Sequence, residues 1–226
     1  MTKESFLIQS SLADQAREAL RDQIISGKLP PNARIDLHDL AQQWNISPTP
    51  LRDAVKALES SGLVEIQPRR GVFVAGLDRK GLRETFELRM AFEGMAARLA
   101  AVHLPDGLAA DAGRRYRAAG AMPADLQETA LQEVDTLVHD IVRDNCGNSR
   151  LIRLMEGVRD LVQWSRQTII RHVPESFAAS LPEHLAICDA LAARHADGAE
   201  RAMRIHLDGV LARIEDYLDA HGTVIA

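Results

Sequence analysis

Residues 39–74 read DLAQQWNISPTPLRDAVKALESSGLVEIQPRRGVFV, and the fold turns on how this stretch divides. Asp36, just ahead of it, can cap a short helix with Leu37, Leu40, Ala41 and Trp44 on one face, ending near Asn45. Ser47-Pro48-Thr49-Pro50 offers two alternative cap-plus-proline starts for the next helix. Leu51, Ala54, Val55 and Leu58 face inward along that helix, and Gly62 stops it. Leu63-Val64-Glu65-Ile66 and Gly71-Val72-Phe73-Val74 then read as two strands, joined by the turn Gln67-Pro68-Arg69-Arg70 with its two adjacent cations. Upstream, Ser10 or Ser11 caps a first helix whose Leu12, Ala16, Leu20 and Ile24 recur every fourth residue, closed by Gly27 and Pro30-Pro31. The amino-terminal part is a helix, a helix-turn-helix and a basic-tipped hairpin, which is the winged-helix pattern.

Beyond about residue 78 helical periodicity continues almost to the end. Six helical segments are expected, roughly 80–103, 106–118, 123–144, 148–172, 176–194 and 197–220, separated by Pro105, Pro123, Cys146-Gly147-Asn148, Pro174 and Asp197-Gly198. Short connections imply an antiparallel bundle with room for an interior pocket. The expected fold is therefore mostly α: residues 1–78 a winged-helix domain with linker, residues 79–226 an all-helical bundle.

Bulk properties narrow the class. The chain has 226 residues and a net charge of −5, with 9 basic and 10 acidic side chains in residues 1–78 and 18 and 22 in the remainder. Neither part is globally basic, so nucleic acid contact requires a local patch. Aromatic residues are only 4%, too few for a base-stacking surface. Cys146 and Cys188 form no CxxC pair, which excludes a structural zinc finger and suits a reducing cytoplasm. The first residues, MTKESFLIQSS, carry neither a basic leader nor a long apolar core, and no stretch reaches membrane-span length. A cytoplasmic protein with no membrane partner is expected.

Two sets of residues carry chemistry. In the helix after Ser47, Thr49, Arg52 and Lys56 lie opposite the apolar face, at the end that would enter a major groove, and the helix amino terminus attracts phosphate. Arg52 is the base-reading candidate. Arg69 and Arg70 suit a minor groove or flanking backbone, and Gly71 allows close approach. In the bundle, Asp135 and His139 stand four apart on one helix, while His184 and His206 face inward on two others. One such histidine is ordinarily a satisfied core residue; three with an acid are better explained by one shared divalent ion, zinc foremost, or nickel, manganese or iron. His103, His172, His195 and His221 sit near helix ends and receive no role.

The quoted stretch closely resembles the DNA-binding half of GntR-family bacterial regulators, from about Ala13 to Val74. Two positions where that family often carries DNA-contacting arginines hold Ser47-Pro48 and His38 here, so the resemblance carries over to Thr49, Arg52 and Arg70-Gly71. The motifs LRMAFEGMAARLAA, DTLVHDIV, GNSRLIRLM, EHLAICDAL and MRIHL resemble the FCD ligand-binding domain of FadR-type members over most of residues 80–218. In metal-containing members the residues matching Asp135, His139, His184 and His206 hold a divalent ion with a small organic acid against it. The family's arginine in the first bundle helix matches Arg89, which equally well pairs with Glu93 one turn on; Arg166 is a second candidate for the acid. Acyl-CoA-binding members lack this metal set.

The resulting expectation is a homodimeric transcription factor, a repressor, reading an imperfect palindrome in double-stranded DNA under control of a small carboxylate beside a divalent metal. Two alternatives use the same ligands. One is a metal-dependent hydrolase or lyase with a regulatory amino-terminal lobe; Glu183, about 100° round the helix from His184, would not serve it as a base. The other is a metal sensor with no organic effector.

Overall fold

The computed structural model describes residues 11–76 and 78–221. Ser10 as a cap and the reading of the first ten residues lie outside this range. Contacts divide the chain into two compact units meeting at residues 76 and 77.

In the first unit, α1 (Leu12–Ile25) starts at Ser11, whose hydroxyl accepts from the Asp14 amide while the Asp14 carboxylate accepts from the Ser11 amide. This reciprocal capping box satisfies two otherwise orphaned donors. Ala16, Leu20 and Ile24 are buried, whereas Leu12, expected on the same stripe, is 56% exposed in the first turn. Asp36 caps α2 (Leu37–Gln43) through the amides of His38 and Asp39. Next, α3 (Pro48–Ser60) buries Leu51, Ala54, Val55 and Leu58. Of the two starts the sequence offered, the helix takes the earlier, with Ser47 at the cap and Pro48 first.

The hairpin β2 (Val64–Gln67) and β3 (Gly71–Val74) forms as expected. A third strand, β1 (Arg34–Ile35), was not legible because two residues carry no period; it pairs antiparallel with β3, giving the order β1-β3-β2. Val64, Val74, Val72 and Ile35 bury one face of this sheet.

The second unit is all α among its described residues: α4 (Arg79–His103), α5 (Leu108–Gly120), α6 (Ala124–Val134), α7 (Leu137–Asn145), α8 (Ser149–His172), α9 (Glu175–Ala192) and α10 (Ala196–His221). Packing is densest between α4 and α10 and between α9 and α10, with α5 against α9. The expected single helix over 123–144 is instead two, broken at Asp135-Thr136. The buried Tyr116 hydroxyl occupies the break: it donates to the Asp135 carbonyl (3.4 Å) and accepts from the Val138 amide (3.1 Å). A phenol that replaces two helical backbone partners lets the helix part without orphaning either group.

Tyr116→Phe keeps the ring and removes that hydroxyl, leaving the Val138 amide without a partner. The expected loss is about 1–3 kcal/mol of unfolding free energy, read from urea denaturation; an unchanged midpoint would mean that water or a shifted backbone replaces the hydroxyl.

Candidate functional site

The exposed face of α3 presents Thr49, Arg52 and Lys56 opposite its four buried apolar residues, the arrangement the helical period requires. The amino terminus of α3 is poorer in donors than its position suggests. Pro48 and Pro50 have no N–H, so the Thr49 amide alone among the first three can reach a phosphate, and Ser47 makes no side-chain cap bond. At the turn, Arg69 is left-handed with φ +63°, and Gly71 has φ +122°, a value that L side chains rarely adopt. Arg69 and Arg70 are exposed.

In the second unit, His139 on α7, His184 on α9 and His206 on α10 come together: each offers a nitrogen within 4.8 Å of those of the other two. Ring centroids lie 4.3 Å apart for His184 and His206, 5.2 Å for His139 and His206, and 5.6 Å for His139 and His184. The His184 ring stacks on Tyr116 at 4.7 Å, so the phenol that breaks the helix also supports an imidazole.

Two carboxylates that the sequence did not assign to the cluster orient it. Glu93 of α4 lies 2.5 Å from His139 Nδ1 and accepts from Arg89 Nε at 2.7 Å. Glu183 of α9 lies 2.9 Å from His206 Nδ1 and is held by both terminal nitrogens of Arg213. Arg213 donates in turn to the Ser176 and Ser180 hydroxyls. The expectation that Glu183 turns away from the site is corrected. It does leave the His184 face of α9, but the face it occupies meets α10, where His206 waits. Helical spacing fixes the angle between two neighbours in sequence and says nothing about which helix lies alongside.

These contacts set protonation. Burial would raise the Glu183 carboxyl, yet the His206 and Arg213 hydrogen bonds and the Arg213 charge outweigh it and hold the group at about 2. Burial opposes ionisation of Glu93 too, and the charges of Arg89 and His139 overcome it, keeping the carboxyl far below the usual range. Burial pushes the His184 imidazole well below its ordinary value, with the His206 and His139 charges adding to the effect, and burial lowers His206 despite Glu183. An ionised carboxylate only accepts, so Nδ1 of His139 and of His206 carries the hydrogen that faces it, and in His206, which burial keeps neutral, Nε2 keeps the lone pair. His184 Nε2 is buried with no hydrogen-bond partner. Imidazoles with one ring nitrogen anchored to a carboxylate, beside an orphaned buried nitrogen, fit a divalent metal. Three histidines can thus form a metal site.

Asp135 does not join that set. Placed at the end of α6 rather than one turn before His139 on a shared helix, it forms an ion pair with Arg166 Nε at 2.9 Å, and Arg166 also donates to the Gln132 carbonyl. Arg89 pairs with Glu93 one turn on, and it also lines the cavity. That cavity, about 490 Å³, is walled by His139, His206, Asp135, Arg89, Arg166 and the inner face of α8. Asn148 caps α8 through the Arg150 and Leu151 amides. Of the four histidines without an assigned role, His172 and His221 flank the Tyr217 ring, away from the cluster.

Comparison with known proteins follows the same division. The model of "Bacterial regulatory proteins, gntR family" matches residues 12–74, and that of the FCD domain matches residues 84–209, more than half of the chain. The chain is 28% identical over 205 residues to the "Probable D-xylose utilization operon transcriptional repressor" of Paenarthrobacter nicotinovorans, covering 91% of this chain and 89% of that one. To the transcriptional repressor GlaR of Escherichia coli it is 26% identical over 197 residues, covering 83% and 89%. The solved E. coli McbR/YncC shares the fold, with a TM-score of 0.69 at 20% identity over 95% of this chain and all of that one.

In metal-free protein, folding should require the neutral rings. Because folded His184 and His206 titrate below the unfolded value of 6.5, their contribution is complete above that pH and is lost as pH falls beneath it. Glu93 and Glu183 add a second loss below about 4.5. The urea midpoint is expected to be flat above pH 7 and to drop in two stages, the first below pH 6.5 and the second below about 4.5; a midpoint constant down to pH 5 would contradict buried neutral imidazoles.

Proposed function

Since the chain belongs to the gntR family of bacterial regulatory proteins and carries an FCD domain, we propose that it is a homodimeric repressor controlled by a small carboxylate bound beside a divalent metal. It is a DNA-binding transcriptional regulator. The family is one of regulators rather than enzymes, so the hydrolase or lyase alternative is set aside.

In this reading residues 1–78 form the DNA-reading domain. Thr49, Arg52 and Lys56 enter the major groove, with Arg52 on a base edge, while Arg69, Arg70 and Gly71 lie against the flanking groove or backbone. Exposure of all five side chains supports this, as does the absence, among the described residues, of ion-pair partners for Arg52, Lys56 and Arg69. Residues 79–226 bind the effector and dimerise. Leu88, Met95 and Val102 recur every seven residues on the exposed side of α4, an apolar stripe that suits a second copy. A dimer reads two half-sites, hence an imperfect palindrome, in the cytoplasm where the DNA is.

The observation that carries the effector reading is the convergence of three imidazoles, two of which, His139 and His206, also line a cavity of about 490 Å³. Zinc suits this donor set first, with nickel, manganese or iron next. When bound, the ion supplies a Lewis-acidic point for a carboxylate oxygen. Asp135, on the same wall, is the fourth donor once released from Arg166, and Arg166 with Arg89 then offers guanidinium to the effector's carboxylate. The cavity volume far exceeds that of a bare ion, which favours an organic effector over a pure metal sensor.

The test is metal content by mass spectrometry, followed by thermal shifts with a panel of hydroxy-, keto- and sugar acids. One near-stoichiometric metal and a metal-dependent shift with one acid are expected. His184→Ala combined with His206→Ala should abolish both; a folded double variant with full metal occupancy would refute the site. Separately, Arg52→Ala should cost about 1–3 kcal/mol of specific DNA affinity and leave the acid-induced shift intact, as measured by fluorescence anisotropy on the selected operator.

A further inference from the structure

The cations of the wing are not confined to its tip. Arg70 folds back so that its guanidinium carbon lies 5.9 Å from the centre of the Phe73 ring. In the sheet register Phe73 stands opposite Arg34 on β1 and opposite Glu65 on β2. Directly opposed residues of antiparallel strands share a face, so Arg34, Phe73 and Glu65 lie together on the side away from buried Ile35 and Val72. Glu65 occupies the far edge and accepts from Gln67 Nε2 at 3.1 Å, which leaves the β1 edge to the arginines.

Arg34 is exposed and extends along this edge toward the turn. A methyl group added at Gly71 would lie 3.3 Å from Arg34 Nε and 3.8 Å from Nη2, so the guanidinium rests on the bare backbone of residue 71. Asp36 feels the Arg34 charge, but its carboxylate is committed to capping α2. Among the described residues no carboxylate pairs with Arg34. A guanidinium with no carboxylate partner, reaching residue 71 just after Arg69 and Arg70, has the makings of a phosphate contact.

We propose that Arg34 is a further DNA-contacting residue, a backbone-phosphate ligand at the base of the wing whose path to the turn is kept open by Gly71. The proposal rests on the reading of the first unit as the DNA-reading domain and adds a contact from a strand outside the helix-turn-helix and the hairpin.

Phosphate contacts act without an operator, so the probe is a 30-base-pair duplex of mixed sequence, bound by the full-length protein between 50 and 200 mM KCl. Each phosphate contact contributes about 0.9 to the slope of log affinity against log salt. Arg34→Gln is expected to flatten the slope by about 0.9 and to weaken binding roughly eightfold at 0.1 M salt; Arg34→Lys, which keeps the charge, should retain the slope. A merely structural arginine would lower affinity with the slope unchanged, and that result, or wild-type binding by a folded Arg34→Gln variant, overturns the proposal. If instead Arg69→Ala and Arg70→Ala also leave the slope unaltered, the wing itself is not a DNA contact and the broader reading fails. Thermal unfolding of each variant, expected within a few degrees of the parent, separates loss of contact from loss of fold.

Discussion

Three imidazoles enclosed by α-helices need polar partners, and the two that have them receive them from carboxylates on other helices. Glu93 of α4 reaches His139 of α7, and Glu183 of α9 reaches His206 of α10. Each carboxylate is itself neutralised by an arginine, Arg89 or Arg213. Buried charges without such compensation would destabilise the bundle by several kcal/mol each. Four helices are therefore tied to one polar core, and the same hydrogen bonds that make burial tolerable fix which nitrogen of each ring carries a hydrogen. His184, stacked on Tyr116 with its Nε2 unpartnered, is the position where the polar core is left incomplete.

Tyr116 connects this core to the backbone. By taking over hydrogen bonds at Asp135 and Val138, its hydroxyl permits a break that separates α6 from α7. The break lets His139 follow the axis of α7 into the cluster while Asp135 stays on the cavity wall with Arg166. A continuous helix would have kept the two in one fixed i, i+4 relation. Separated, they are served by different partners, Glu93 for His139 and Arg166 for Asp135.

The first unit solves a different problem, presenting cations from a chain that is acidic overall. Its apolar residues are drawn inward by helical and strand periods, which leaves Arg52 and Lys56 on one side of α3 and the arginines along the hairpin. Bracing Arg70 on Phe73 and seating Arg34 over Gly71 restrict two long side chains, so less freedom remains to be lost on meeting a phosphate.

The sequence by itself determined the order of elements and which residues could bear the chemistry. Apolar spacing at Leu51, Ala54, Val55 and Leu58, caps at Asp36 and Asn148, and the Pro-Arg-Arg-Gly turn are local, and local propensity wrote them plainly. Inward facing of His184 and His206 was legible for the same reason, since each interrupts an apolar stripe. The break at Asp135-Thr136, the Arg166 pair and the carboxylates behind His139 and His206 were decided by tertiary structure alone. Each depends on a residue 19 or more positions away arriving from another helix, and a helical period records the direction of a side chain but not what will stand opposite it.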